Sequence, residues 1–253
     1  MIFSIRFLQA AKEKLQILKQ YRRSILLIIV VLAFVKEASI YSDTSRNAFM
    51  PESKSQPVVA LSFDDGPHPG YSDKIVEILD RAGINATFFI VGEMVKKYPE
   101  LLKKEFLSGN EIGNHTYTDT RITAIEGNKA EEEIEKTQAL IKKITGRKSV
   151  LLRPPGGHYN GIIVDIARKL GYQIVLWDLN SNDIVALPAW DIYKNIVSQV
   201  KDEDIVVFHD GISSTLDALP SIITKLKSRG FQFVTISELE KIKKARFYAD
   251  ARH

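Results

Sequence analysis

Short apolar runs of strand length alternate with longer, more polar segments along residues 57–245. The apolar runs predict strands at Val58–Phe63, Asn85–Val91, Glu111–Asn114, Val150–Arg153, Gln173–Asp178, Asp204–Phe208 and Gln232–Thr235. The segments after them predict helices at Ser72–Ala82, Glu93–Ser108, Glu126–Ile144, Gly161–Leu170, from Asp191 onward, Leu216–Arg229 and Ser237–Lys244. Regular alternation of strand and helix predicts an α/β fold with a parallel sheet. Seven such units favour a closed or nearly closed barrel over an open sheet.

An unbroken apolar run, Ser24–Val35, follows the basic pair Arg22-Arg23. It is shorter than the roughly 20 residues that span a bilayer, but it fits the hydrophobic region of a signal peptide. Lys36 and Glu37 stand where small residues favour cleavage. The segment is therefore either an uncleaved anchor that stretches towards Ile40 or the signal of a secreted product. A buried core helix is a third alternative. We expect residues 1–40 to be a signal or anchor segment, residues 41–56 a polar linker, and residues 57–245 a folded domain outside the membrane.

The bulk composition narrows the function classes. Hydrophobic residues make up 45% of the 253 residues, which allows a sizeable core and argues against disorder. The net charge is only +4, and no basic patch is interleaved with aromatic residues, so nucleic-acid binding is not predicted. The absence of cysteine excludes disulfides, thiolate chemistry and a cysteine-ligated zinc site.

Unusual polar residues occur where the predicted strands end. They are Asp64, Asp65, His115, Arg153, Asp183, His209 and Asp210. Each has a structural explanation by itself, since Asp-Asp-Gly-Pro is a good turn sequence and a histidine at a strand end is often a scaffold residue. In a β/α barrel, however, the carboxyl ends of the strands form one rim, where active sites lie. Their joint placement therefore favours an active site.

Two adjacent acids after a buried strand predict a bound cation, because buried carboxylates are costly unless they are paired. His115 and Asp119 have the i, i+4 spacing that places two side chains on the same face of a helical turn. Together with Asp65 they would give a site of two carboxylates and one imidazole, with open positions for water and substrate. Such a site suits a metal that acts as a Lewis acid in hydrolysis.

Four segments resemble, in order, motifs of the polysaccharide deacetylases, which are carbohydrate esterase family four and carry the NodB homology domain. The segments are Ser62–Pro67, Gly113–Thr116, Arg153–Gly156 and His209-Asp210. The resemblance covers about residues 57–240 and implies a distorted parallel (β/α)7 barrel, in agreement with the count of β–α units.

The resemblance also implies roles for the polar residues. Asp64 would be the general base, held by Arg153, and Asp65 and His115 would be metal ligands. His209 would be the general acid that protonates the leaving amine. Asp183 would stabilise the charged form of that imidazole, because a carboxylate partner raises the pKa of a histidine. Residues expected to contact substrate are Pro154, Gly156, Tyr159 and Ile184.

Two positions depart from the family pattern. Asp119 stands where the second motif ends in histidine; it either ligates the metal or leaves a site of weak affinity. Zinc is the expected ion, and cobalt, nickel or manganese are alternatives because a carboxylate makes the site harder. Ile184 replaces a tryptophan of the substrate wall, which implies an altered or shallower acyl pocket. Trp190 is a nearby candidate to replace that tryptophan.

The sequence thus predicts a metal-dependent deacetylase that acts outside the membrane on N-acetylated amino sugars, in peptidoglycan first and in chitooligosaccharides as an alternative. Two further hypotheses stay open. One is a glycan-binding protein with weak or no catalysis, suggested by Asp119 and Ile184. The other is an esterase that removes O-acetyl groups from a polysaccharide with the same residues, and with less dependence on His209 because an alkoxide leaves more readily than an amine.

Overall fold

The computed structural model describes residues 56–251. The predicted signal or anchor segment, residues 1–40, and nearly all of the predicted linker, residues 41–56, lie outside the described residues. Within residues 56–251, every helix is too short or too polar to cross a bilayer.

Eight strands form one sheet, and all their pairings are parallel. The strands are β1 (Val58–Gly66), β2 (Thr87–Ile90), β3 (Glu111–Asn114), β4 (Leu151–Leu152), β5 (Gln173–Ile174), β6 (Leu179–Asn180), β7 (Asp204–His209) and β8 (Gln232–Phe233). The helices are α1 (Ser72–Ala82), α2 (Gly92–Lys97), α3 (Pro99–Leu107), α4 (Gly127–Thr145), α5 (Gly161–Leu170), α6 (Ala189–Gln199), α7 (Ser213–Ser228) and α8 (Ile236–Asp250). The predicted parallel α/β architecture is confirmed.

The sheet is a curled parallel half-barrel, so the predicted distorted (β/α)7 barrel, closed or nearly closed, is confirmed in its parallel curvature but is open between β5 and β6. Its strand order is β5-β4-β3-β2-β1-β7-β6, with β8 paired to the start of β1, so β5 and β6 are the two edges. Residues 175–178 run from one edge to the other: the amide of Val175 donates to Leu152 of β4, and that of Asp178 donates to Ile205 of β7. The single predicted strand Gln173–Asp178 is therefore divided into β5 and a bridging segment, and β6 was not predicted.

The predicted helix Glu93–Ser108 is divided as well. The first part, α2, ends before Tyr98, and α3 begins at Pro99. A proline fits the first turn of a helix, where its missing N–H loses no bond, but it interrupts a helix that arrives from the amino-terminal side. The other predicted helices are present with ends that differ by a few residues.

Strand β1 lies in the middle of the sheet and of the core. Its residues 58–64 are buried, and the ring of Phe63 stacks on Phe88 of β2 and Phe208 of β7 at centroid distances of 5.1 and 5.6 Å. Because both neighbours hold β1 firmly, the residues that follow Phe63 emerge at a fixed place on the rim formed by the carboxyl ends of the strands. These residues are Asp64 and Asp65.

Candidate active site

The Asp64 carboxylate is buried at the end of β1 and bound by a buried cation. Nη1 of Arg153 lies 2.7 Å from Oδ1 of Asp64 and donates a second hydrogen bond, of 2.8 Å, to Oγ of Ser62. The rest of the guanidinium donates to main-chain carbonyls, with Nη2 3.0 Å from the Leu176 oxygen and Nε 3.3 Å from that of Val175. These two carbonyls belong to the bridging segment, which is why that segment does not continue β5.

Two aromatic rings complete the surroundings of Arg153. Its guanidinium carbon lies 4.0 Å from the centroid of Phe89 and 5.7 Å from that of Trp177, both within the range of cation–π attraction. The side chain, which has no solvent-exposed surface, is therefore held on every side. One oxygen of Asp64 is fixed by this pairing, which leaves the carboxylate oriented for proton transfer at the rim.

The three predicted metal ligands lie together. Nε2 of His115 lies 3.4 Å from Oδ1 of Asp65 and 3.6 Å from Oδ1 of Asp119, and one ligand atom from each residue lies within 4.8 Å of the other two. Nδ1 of His115 lies 2.8 Å from the Arg153 carbonyl oxygen. Since a carbonyl only accepts, Nδ1 carries the proton, and in the neutral ring the lone pair on Nε2 faces the two carboxylates. This donor set fits a divalent metal ion.

The charges within the cluster are strongly coupled. Burial alone would lower the pKa of His115, but the carboxylates of Asp64, Asp65 and Asp119 outweigh burial and raise it. Burial opposes ionisation of Asp65, yet the hydrogen bond and charge of His115 lower the pKa of that carboxyl. Burial and the charge of Asp65 raise the pKa of Asp119. The concentrated negative charge favours a cation at this place.

The loop between His115 and Asp119 is fixed by groups outside it. The carboxylate of Glu133, on α4, accepts from the amides of Tyr117 and Thr118 at 3.1 and 2.7 Å. Asp119 itself has a φ of 57°, a left-handed conformation that aspartate tolerates better than most residues. The i, i+4 spacing of the two ligands therefore brings them together through a braced loop, and not through the helical turn that the sequence predicted.

His209, at the end of β7, is the second histidine at the rim. Nδ1 of its ring lies 2.7 Å from Oδ1 of Asp183, whose other oxygen accepts from the His209 amide and from Oγ1 of Thr215. Burial would lower the pKa of His209, but the hydrogen bond and charge of Asp183 raise it. The same contacts lower the pKa of Asp183 against the effect of burial. The raised pKa favours the protonated imidazole, whose Nδ1 is bonded to Asp183 and whose Nε2 can donate a proton.

The two halves of the site meet through the strand register. Asp64 and His209 are direct partners across β1 and β7, and the charges of Asp64 and Asp65 act on the His209 ring. A carboxylate held by Arg153, a cluster able to bind a metal, and an imidazole held by Asp183 therefore share one rim. The seven residues predicted to catalyse or to bind metal lie together.

The residues predicted to contact substrate lie in the turn after Arg153 and beside Asp183. Pro154 is buried directly after Arg153, Gly156 is exposed in the following turn, and Tyr159 has 48% of its surface exposed. Ile184, 57% exposed, lines a hollow beside Asp183. Trp190 lines a groove between α6 and α7 whose lining does not include Ile184.

Several supporting residues were missed by sequence reasoning. Ser62 precedes Asp64 by two positions on β1, and strand alternation places both side chains on one face, so this residue could have been found. Thr215, Glu133 and Trp177 reach the site from distant parts of the chain, and no local pattern marks them.

A group of buried acids lies behind the rim. The Asp210 carboxylate accepts from the Ser72 hydroxyl, which in turn accepts from the His68 amide. Glu105 of α3 has no exposed surface, and neither of its carboxyl oxygens has a hydrogen-bond partner in good geometry among residues 56–251; Ser72 and Asp210 are its polar neighbours. Burial and the Asp210 charge raise the pKa of Glu105 well above its usual value, and burial raises the pKa of Asp210 to about 6.

Comparison with known proteins agrees with this geometry. A family model described as polysaccharide deacetylase matches residues 52–175. The chain is 35% identical over 194 residues to a peptidoglycan-N-acetylglucosamine deacetylase of Bacillus cereus, covering 75% of this chain and 91% of that protein. It is 36% identical over 192 residues to the peptidoglycan-N-acetylmuramic acid deacetylase PdaC of Bacillus subtilis, covering 76% of this chain but only 40% of that relative's length.

Solved structures share the fold. The structure of PdaC superposes with a TM-score of 0.74 and 35% identity, covering 78% of this chain and 96% of the solved chain. A carbohydrate esterase family four pseudoenzyme from Bacillus anthracis superposes with a TM-score of 0.70 and 28% identity, covering 73% of this chain and 66% of that one. With its site residues in place and this degree of identity over most of a relative's length, the chain belongs to the polysaccharide deacetylase family.

Proposed function

We propose that this protein is a metal-dependent hydrolase that removes acetyl groups from the N-acetylated amino sugars of peptidoglycan. The observation that carries the proposal is the alignment of Asp64 with His209 across β1 and β7, beside the ligand cluster Asp65–His115–Asp119. The names of the relatives, which refer to N-acetylglucosamine and N-acetylmuramic acid in peptidoglycan, support this choice of substrate.

A divalent ion bound by Asp65, His115 and Asp119 would supply Lewis-acid chemistry towards the acetyl carbonyl and the attacking water. Asp64 accepts a proton from that water as its oxygen forms a bond to the acetyl carbon. Nε2 of His209 donates a proton to the amide nitrogen as the C–N bond breaks. The products are acetate and a free amine, and the two proton transfers balance.

The neighbours of the acid and the base hold both in position. Arg153 places a cation 2.7 Å from Asp64 and orients its carboxylate. Asp183 and Thr215 hold the His209 ring so that Nδ1 donates inward and Nε2 faces the rim. A histidine with a raised pKa remains an acid near neutral pH, as protonation of an amine leaving group requires.

Zinc is the first candidate for the ion, with cobalt, nickel and manganese as alternatives. Imidazole ligands suit zinc, whereas each additional carboxylate makes the site more suitable for harder ions. The proposed set has one imidazole, from His115, and two carboxylates.

We further propose that residues 1–40 direct the domain to the outside of the membrane, as an uncleaved anchor or a cleaved signal. The basic residues before Ser24–Val35 and a substrate in the cell wall support this location. Fractionation of cells into cytoplasm, membrane and medium tests it, and recovery of the protein in the cytoplasm alone would contradict it.

The similarity to a pseudoenzyme favours one alternative, a glycan-binding protein without catalysis. The departures at Asp119 and Ile184 are compatible with it. An O-acetyl esterase remains a third candidate, and His209→Ala separates it from a deacetylase, since loss of the acid should slow N-acetyl hydrolysis far more than O-acetyl hydrolysis.

The decisive experiment measures acetate release by the full chain. The protein is stripped with a chelator, reloaded with zinc, cobalt, nickel or manganese, and incubated with peptidoglycan or N-acetylglucosamine oligomers. We expect acetate release with at least one metal. In Asp64→Asn the rate of acetate release should fall by about 10²-fold or more. Asp165→Asn, which changes a carboxylate with 74% exposed surface, is the matched control and should keep full activity. No release by folded, metal-loaded protein would refute catalysis and favour the glycan-binding alternative.

A further inference from the structure

We propose that the groove between α6 and α7 binds a saccharide unit of the glycan chain at a distance from the unit that reacts. The proposal rests on the proposed function, because it takes the ligand to be an N-acetylated polysaccharide. It assigns Trp190 as the contact on which that distant unit stacks.

Trp190 and Tyr193 form an aromatic platform at the start of α6. They are three residues apart, so they project from the same helix face, and their rings stack with centroids 5.1 Å apart at an angle of 15°. Trp190 nevertheless has 63% of its surface exposed. Tryptophan is highly buried on average, so a flat indole left open to solvent indicates a ligand surface. The electron-rich face of an indole attracts the polarised C–H bonds on one face of a sugar ring.

The groove beside the platform has a volume of about 520 Å³, and its opposite wall is polar. Exposed side chains of α7 supply a carboxylate from Asp217, hydroxyls from Ser221 and Thr224, and an ammonium from Lys225. An aromatic face opposite a row of hydrogen-bonding groups matches a saccharide, which presents C–H groups on a ring face and hydroxyl and acetamido groups at its edge. A hydrophobic peptide or a lipid would leave these polar groups without partners.

The groove follows, along the same two chain segments, a hollow that adjoins the candidate active site. The hollow next to Asp65 and Asp119 shares Tyr71, Gly211 and Ile212 with the hollow beside Ile184. That second hollow ends at Pro188 on one side and Ser214 on the other. The aromatic groove begins at the next residue, Ala189, and at Asp217, one turn further along α7.

Helix α7 forms one wall of both the second hollow, at Ser213 and Ser214, and the groove, from Asp217 to Ser228. A glycan that occupies the catalytic rim and the platform together must pass the second hollow, which requires a chain of several sugar units. The groove is therefore expected to act on substrate affinity in a manner that depends on chain length.

Trp190→Ala in the full chain tests this expectation. For long N-acetylglucosamine oligomers we expect KM to rise by roughly three- to tenfold, the value of one aromatic stacking contact, with kcat unchanged. For the disaccharide, which on this proposal does not reach the platform, both constants should stay as in the wild type. Phe247→Ala, which removes a ring that is 70% exposed on α8, is the matched control and should change neither constant. Equal effects of Trp190→Ala on short and long substrates, or no effect on either, would overturn the proposal.

Calorimetry separates the groove from the chemistry. A hexamer of N-acetylglucosamine is titrated into wild type, Trp190→Ala and Phe247→Ala, each confirmed as folded by circular dichroism. A loss of affinity in Trp190→Ala alone supports saccharide binding in the groove. If at the same time no metal restores acetate release, only the proposed function fails. Equal affinities in the three proteins would reject the groove even if the deacetylase activity is established.

Discussion

Glu105 is a carboxyl group whose burial favours its neutral form. Replacing it with glutamine keeps the size of the side chain but removes the titration. In the unfolded chain a glutamate ionises with a pKa of about 4.3. In the folded protein, burial and the Asp210 carboxylate raise the pKa of Glu105 well above its usual value. At pH values between the unfolded and the folded pKa, wild-type protein must therefore bind a proton when it folds, and the Glu105→Gln variant need not.

The sign and size of the effect follow from this proton. Between the unfolded and the folded pKa of Glu105, the unfolded chain holds fewer protons than the native one, so stability falls as pH rises. The free energy of unfolding of wild type should decrease by about 1.4 kcal/mol per pH unit relative to Glu105→Gln. In a domain of this size, 1 kcal/mol changes Tm by about 2–4 °C. Below the unfolded pKa, Glu105 is neutral in both the folded and the unfolded chain. The free energies of unfolding of wild type and Glu105→Gln should then differ little.

Urea unfolding at a series of pH values from 4 to 8 measures this difference. Glu100→Gln, which changes an exposed acid on the same helix, is the control and should follow wild type at every pH. Asp210→Asn tells which of the two neighbouring acids holds the proton, because the slope should persist if Glu105 holds it. A constant gap between wild type and Glu105→Gln would show that Glu105 is ionised in the native state and would refute the reasoning.

Three further predictions concern the rim. Asp183→Asn should lower kcat by about 10²-fold or more, and, since Asp183 raises the pKa of His209, a pH–rate profile should lose activity at a lower pH than in wild type, where the acid must stay protonated. Arg153→Met should lower the free energy of unfolding in urea by about 3–5 kcal/mol, because it leaves Asp64 as an unpaired buried charge; a change below about 1 kcal/mol would contradict this. Asp119→His should raise the affinity for zinc relative to manganese in competition titrations with a chelator, since histidine also tolerates the left-handed backbone at this position; an unchanged ratio would show that residue 119 is not a ligand.

The sequence predicts those parts of the structure that local rules determine. Helices α1 and α5 have the predicted bounds, and each ends at a glycine, Gly83 or Gly171, in the left-handed conformation that closes a helix. Strand β3, Glu111–Asn114, also has its predicted bounds. The residues proposed to catalyse and to bind metal lie together, as predicted, because strand ends of a parallel sheet meet at one rim.

The remaining parts depend on contacts between distant segments. The carbonyls of Val175 and Leu176 turn towards Arg153, more than 20 positions earlier, and this turn opens the barrel between β5 and β6. A glutamate on a mostly polar helix such as α3 would ordinarily be exposed, and only tertiary packing buries Glu105. For the same reason the sequence could not show that Trp190 lines a groove apart from the hollow at Ile184.

Residue 153 contacts two parts of the site through different atoms. Its side chain orients the proposed base, Asp64, whereas its main-chain oxygen sets the tautomer of the proposed metal ligand His115. Every amino acid keeps the main-chain oxygen, so a mutation here can disable proton abstraction and still leave ion capture intact. A single substitution can therefore abolish catalysis and leave the residues of the ion site in place. This gives a simple evolutionary route from a deacetylase to a protein that only binds the same polymer.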